Sequence, residues 1–443
     1  MTLTKGYLVR RIAIAGLVAL AAVLGGGAVP ATAMAQPTPV MRTGSAVAVV
    51  AAGRAPAAYN GQAVGSFPLI SCVLATDCVG IDGTSSLTWG RTIPTRVARW
   101  NGSSWKGVGV ALPKGTKSDD LVAVSCQGAK SCLVVGDYYT SANVNAASHA
   151  LALTYDGTSV KSTTVPVPRG TTDVALTGVS CATTRYCVAV GAADGDTPAF
   201  GDAGALIIIE TWNGARWTLH TAATSIGTTE QVDPTVVSCV TSAFCVLAGQ
   251  ATSITSLTST FYVASWNGKK LRAMKPAAVR GGAYSGYLGP VGLSCATTSN
   301  CAVTGALIGD AGNGNLDGTT AFTEIWNGKT WQLGKVTWPK GTADSLTTGV
   351  SCYGAHTCEV VGVDGADTNT SFDAAAVSFN GTAGTLQAVP APSKGYVHGF
   401  TNVSCLPWGS CIAIGVTAKA TAKATALMTG VWNGKAWKLD PGF

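Results

Sequence analysis

The chain has 443 residues, of which 47% are hydrophobic and only 12% charged, with a formal net charge of +7. An apolar fraction this high can build a core and excludes a disordered chain, and so small a charge over this length excludes the dense basic face that nucleic acid requires. Length alone implies two or three domains, a reading that internal repeats replace.

Residues 1–35 read as an export signal. Lys5, Arg10 and Arg11 make a basic start, "IAIAGLVALAAVLGGGAV" an apolar run, and Ala33-Met34-Ala35 a small-residue cleavage site before Gln36. Gly25-Gly26-Gly27 and Pro30 interrupt the run, which suits cleavage better than a retained span, and no cysteine near the site offers a lipid attachment point. Loss of the three bases leaves a net charge of +4. No later stretch has about 18 unbroken apolar residues, so the expectation is a secreted, monomeric chain with no membrane span. Residues 36–66 read as a Pro/Ala/Gly-rich linker, in which "SAVAVVAA" could add an edge strand.

From residue 67 onward one unit recurs seven times, with a period of 53–58 residues. Each copy holds a cysteine pair at fixed spacing: Cys72 with Cys78, Cys126 with Cys132, Cys181 with Cys187, Cys239 with Cys245, Cys295 with Cys301, Cys352 with Cys358, and Cys405 with Cys411. A serine precedes the first cysteine each time, and in six copies a glycine stands four residues after the second: Gly136, Gly191, Gly249, Gly305, Gly362 and Gly415. A second motif, an aromatic followed by Asn or Asp and Gly, alternates with the pairs, as in Trp100-Asn101-Gly102 and Trp432-Asn433-Gly434. Four copies add a tryptophan five residues after the first: Trp105, Trp217, Trp331 and Trp437. Asn-Gly between apolar runs predicts a two-residue hairpin turn, which would pair Ala98 with Trp105 and set the two tryptophans diagonally on one packing face.

Each unit therefore carries four short strands. The first runs into the first cysteine, the second out of the second cysteine, and the third and fourth flank the aromatic turn. Four strands repeated seven times predict an all-β chain, a seven-bladed β-propeller of four-stranded antiparallel blades over about 67–118, 119–172, 173–232, 233–288, 289–343, 344–397 and 398–443. The unit resembles a kelch-type or galactose-oxidase-like blade, which ends its second strand in glycine, ends its third in an aromatic with Asn or Asp, and opens its fourth with Trp. The usual double glycine is mostly single here, and the cysteine pair is an addition. The resemblance implies a fold and no particular activity.

The C-x5-C pairs fall at the ends of adjacent antiparallel strands in an exported chain, which predicts a disulfide within each unit, with pairing between units as the alternative. A zinc site needs four ligands, a set that no spacing here supplies, and a redox pair is more often a single C-x-x-C.

In a propeller the first-to-second and third-to-fourth turns share one end, and here they carry the repeated motifs. The second-to-third and fourth-to-first loops share the other end and differ in every copy, so a ligand surface is expected there. Its candidate residues are Trp89, Tyr138, Tyr139, Asp194, Asp196, Tyr284, Tyr287, Asp310, Asp364, Asp367, Tyr396 and His398. Carboxylates can accept hydrogen bonds from sugar hydroxyls or serve acid–base chemistry, and aromatic faces can stack on sugars. Each has an ordinary alternative as a turn or packing residue. "NGNLDGTTAFTE" has calcium-loop spacing from Asn313 to Glu324, although Glu324 also matches Glu210 as a plain strand residue. Pro113-Lys114-Gly115, Pro168-Arg169-Gly170 and Pro339-Lys340-Gly341 in fourth-to-first loops read as turns or as a cation ring. Nucleophile, zinc-protease and P-loop signatures are absent. The expected function is a non-catalytic recognition module for a glycan, a cell-envelope component or another extracellular protein. It requires no cofactor, calcium being the alternative. The rival readings are a polysaccharide-active enzyme using loop carboxylates and a scaffold for protein interaction or adhesion.

Overall fold

A computed structural model of the chain describes residues 58–59, 62–63, 69–82, 96–141, 146–195, 205–223, 230–253, 259–277, 284–310, 316–337, 342–366, 372–391, 396–419 and 426–440. Among these residues every regular element is a strand. Two-residue strands Ala58–Tyr59 and Gln62–Ala63 pair with each other. The remaining strands make seven four-stranded antiparallel meanders of a β-propeller. Five stand as separate sheets. The first two are joined through their outermost strands, Trp105–Ala111 and Ser159–Thr163, which pair in parallel.

The first strand of every meander is innermost. These strands are Leu69–Leu74, Ser118–Gly128, Thr171–Thr183, Glu230–Thr241, Tyr284–Thr297, Thr342–Tyr353 and Tyr396–Cys405. The serine before each first cysteine links them. Ser71 Oγ accepts the amide N–H of Cys126 at 2.9 Å, Ser125 that of Cys181 at 3.0 Å, and Ser180 that of Cys239 at 2.9 Å. Ser238 and Ser294 continue to Cys295 and Cys352, and Ser351 to Cys405. Ser404 closes the ring on Cys72 at 3.0 Å. Seven apolar clusters fill the seven interfaces between neighbouring meanders, including the last with the first, where Ile412 and Ile414 pack with Ile70, Trp100 and Trp105.

All seven disulfides form within their own meander, and none joins two meanders. Cys72 bonds to Cys78, Cys126 to Cys132, Cys181 to Cys187 and Cys239 to Cys245. Cys295 bonds to Cys301, Cys352 to Cys358 and Cys405 to Cys411. In each case the two cysteines face each other in register across the first two strands. The second cysteine is the more deeply placed: Cys78, Cys132, Cys187, Cys245, Cys301, Cys358 and Cys411 are all buried, because the second strand lies inside its sheet. The turn aromatic lies next in the same row, so that Cys411 is in register with Trp432 and Trp432 with Trp437. The seven bridges match an oxidising compartment. No helix among the described residues is long and apolar enough to cross a membrane.

The aromatic turn corrects one expectation. Trp100 pairs directly with Trp105, and the four such tryptophan pairs have ring centroids 5.2–5.6 Å apart. The connection is a four-residue loop because Asn101 Oδ1 accepts the N–H of Ser103 at 2.9 Å and of Ser104 at 2.8 Å, and Gly102 takes positive φ. The second tryptophan reaches the preceding meander: Trp217 Nε1 donates to Thr163 Oγ1 at 3.1 Å. The repeated glycine has an equally specific cause. A β-bulge in the first strand pushes a carbonyl against it, and a Cβ on Gly136 would lie 1.8 Å from Asp120 O.

Candidate functional site

At the end opposite the disulfides, carboxylates meet in register. Asp120 faces Asp137 in the second meander, and Asp173 faces Asp194 in the third. In the sixth, Asp364 on the second strand faces Asp373 on the third. These pairs arise because acids both open and close strands at this end, and antiparallel pairing places them opposite each other.

Their environments differ. Asp120 and Asp137 are buried, and on the opposite face of the same sheet the Tyr138 ring lies 5.1 Å from that of His149. Tyr139 is half-buried, and its carbonyl accepts the N–H of Lys117 at 2.7 Å, which fixes the entry to the innermost strand. Asp173 Oδ1 accepts the N–H of Ser148 at 2.9 Å and the Ser148 hydroxyl, so it ties the third meander to the second. Asp194 is half-buried at the end of its strand.

The sixth and seventh meanders make a tighter group. The innermost strand of the seventh lays His398 against the sixth, with Nδ1 3.5 Å from Asp373 Oδ1. The imidazole side chain is 2% exposed and the Asp373 side chain 69% exposed. Neither ring nitrogen makes a hydrogen bond. Burial lowers the His398 pKa against the opposing pull of Asp373, which favours the neutral ring. Burial, and then the charge of Asp373, raise that of Asp364.

The structure thus sets Asp373, which the sequence reading passed over, against His398 and in register with Asp364. Asp373 is legible only once the loop between Asp364 and Asp373 is given its register. Tyr138, Tyr139 and Asp194 fall at the same end in other meanders. Tyr284, Tyr287, Asp310 and Tyr396 occupy strand positions opposite Gly309, Leu307, Leu316 and Lys419, respectively. Trp89, Asp196 and Asp367 lie outside the described residues.

Among the described residues, no group of three or more His, Cys, Asp or Glu is placed to hold a metal ion. Asn313 and Asn315 lie outside those residues, and Glu324 is fully buried, with Oε2 accepting the N–H of Ala277 at 2.9 Å. The Pro-basic-Gly elements are turns where described. Thr116 N–H donates to Pro113 O at 3.2 Å, with Gly115 at φ +90.

At the disulfide end one turn departs from the others. Trp408 is 64% exposed between Cys405 and Cys411, whereas the equivalent third position holds Ala75, Ala129, Thr184, Ser242, Thr298 or Ala355.

No family model matches the chain, and no curated protein matches it. Among solved structures, that of YCF48 bound to D1 peptide is 12% identical with a TM-score of 0.41, covering 75% of this chain and 83% of its own. The Hadza microbial sialidase Hz136 is 9% identical with a TM-score of 0.46, covering 76% and 74%. The β-propeller domain of the Trilobed protease from Pyrococcus furiosus is 8% identical with a TM-score of 0.45, covering 85% and 94%. The fold assignment stands on the strands described above, and these proteins' activities remain their own.

Proposed function

We propose that this chain is an exported, kelch-like recognition propeller that binds a glycan of the cell envelope or its surroundings, without catalysis, at the end bearing the paired carboxylates. The observation that supports this most is that this end carries carboxylate pairs in three meanders and, on the other face of the second meander, the Tyr138 and His149 rings. A carboxylate can accept hydrogen bonds from two adjacent sugar hydroxyls, and a tyrosine face covers the C–H face of a pyranose. The repeated motifs are occupied elsewhere, in the disulfide and tryptophan rows that hold the ring together.

The Asp364–Asp373 carboxylate pair favours one second reading, hydrolysis of a polysaccharide by acid–base chemistry. One experiment separates the two. A polysaccharide panel is incubated with the chain, and retention and released product are measured on the same samples. Retention without product is the expected result, with retention weakened in Tyr138→Ala. Product release that disappears in Asp364→Asn and Asp373→Asn would establish the enzyme reading instead.

A further inference from the structure

We infer that the disulfide end of the propeller is a docking face for an anionic lipid surface. This goes beyond the reading above and concerns the opposite end of the molecule. The small net charge of the chain conceals a separation of charge between the two ends. The three carboxylate pairs stand at one. At the other, the hairpin turns carry Lys130, Arg185, Arg216, Lys269, Lys270 and Lys329, and Lys435 continues the series in the seventh meander. All seven are exposed, and none forms an ion pair among the described residues. Spread singly or in pairs around the ring, they make no dense track. The two acids in these turns are already engaged. Arg99 Nε donates to buried Asp77 Oδ1 at 2.7 Å, and Asp156 accepts the N–H of Ser159 at 2.9 Å and meets Lys161 at 3.2 Å.

Apolar exposure falls at the same end. Among the described residues three large apolar side chains stand exposed: Leu74 at 49%, Trp408 at 64% and Val167 at 44%. Leu74 and Trp408 sit on the disulfide turns of the first and seventh meanders, neighbours across the contact of Ser404 with Cys72 that closes the ring. The Trp408 turn is closed by its own backbone. Leu406 is buried and its N–H donates to Ser410 O at 2.8 Å, while Gly409 N–H donates to Leu406 O at 2.9 Å. An exposed indole there answers no packing need of the turn.

The partner these features fit is a surface, because a surface needs no convergence of side chains. Each serine bonds to the next cysteine N–H at the same register, and the seventh returns to the first. No rise accumulates around the ring, so the turns end at one level and a flat bilayer can meet them all. Negative headgroups attract the lysines and arginines. Trp and Leu gain by entering the boundary between headgroups and acyl chains. A soluble anionic polymer would match the cations but leave Leu74 and Trp408 in water. The same surface repels the acids of the far end, so the docked chain turns its ligand-facing end outward.

The test is vesicle co-sedimentation of the full exported chain, Gln36 onward, at neutral pH. The probes are vesicles of phosphatidylcholine, vesicles of phosphatidylcholine and phosphatidylglycerol in equal parts, and soluble polyphosphate. The anionic vesicles are expected to bind at least about tenfold more tightly than the neutral ones, and added salt should erode the difference. Lys269→Ala with Lys270→Ala should weaken binding to the anionic vesicles about tenfold. Leu74→Ala with Trp408→Ala should do the same through lost insertion. Val167→Ala, in the fourth-to-first connection at the acid-bearing end, should change nothing. Thermal melts confirm that the variants are folded. Equal binding to the two kinds of vesicle, binding to neither, or parent-level binding in either double variant overturns the docking face. So does a loss in Val167→Ala as large as that in the Leu74 and Trp408 pair. Binding to polyphosphate without binding to vesicles overturns it in favour of a soluble anionic polymer. Each of these failures leaves the glycan reading standing, because that reading concerns the other end.

Discussion

The two ends of this propeller are made from different kinds of sequence. At the disulfide end, each meander repeats the same cysteine pair and a turn aromatic, and the side chains are consumed by the ring itself. At the carboxylate end, the loops differ in every copy, and the acids stand in pairs that antiparallel strands gain nothing from. Seven copies in one chain act as internal controls: what recurs holds every pair of neighbouring meanders together, and what differs does so only locally, as Asp173 does with Ser148. Trp408 is the exception at the disulfide end, since the turn closes with a small residue six times and with an exposed indole once.

The largest effect that could break this contrast lies at the repeated glycine. In Gly136→Ala the new methyl would fall 1.8 Å from Asp120 O, a backbone atom that cannot step aside. A loss of more than about 3 kcal/mol is expected in urea unfolding. A small loss would mean that the bulge is soft and the glycine dispensable.

The middle of the interfaces sharpens the contrast through pH. Glu210 and Glu359 are 0% exposed, and burial pushes each carboxyl up to about 8. The native chain keeps these protons until about pH 8, whereas the unfolded chain releases them near the ordinary value of 4.5. Unfolding between those limits releases protons, so stability falls as pH rises across that window, by up to about 1.4 kcal/mol per pH unit for each carboxyl. Glu210→Gln should flatten the slope measured by thermal melts at pH 5 and pH 8. An unchanged slope would place the titration elsewhere.

A smaller change is expected from one staple. Replacing Cys405 and Cys411 together by alanine opens a short loop worth about 2 kcal/mol in the chain-entropy account, read as a shifted urea midpoint. The six remaining bridges should keep the fold. The smallest effect belongs to Trp408→Ala, within about 0.5 kcal/mol of the parent chain. A large loss there would make the indole part of the ring after all.

Much of this architecture is legible in the residues, and the failures have physical causes. Strand number and disulfide pairing follow from spacing, because each is local. The seven serines are visible as a repeat, but their work is not, since each bonds to a strand in the next meander more than fifty positions away. The tryptophan register fails by two residues because an asparagine side chain, and not the chain's twist alone, sets the loop length. Glu210 and Glu324 look like strand residues at a polar position. The signal for their burial is the company they keep, since the other copies hold Ala98, Leu153, Ala264, Val377 and Gly430 there. Asp373 is missed because its partner across the hairpin depends on a loop whose register no motif fixes.

The serine ring has a consequence for how the molecule is put together. Ser404 bonds to Cys72 as Ser71 bonds to Cys126, and the last interface is packed like the others. Each meander is complete in itself, so no strand must travel from one terminus to the other to close the circle. Topology gives the chain no privileged beginning, and a circularly permuted version opened between any two meanders should assemble the same ring. Folding is free to start in whichever meander forms first and to spread both ways around the circle.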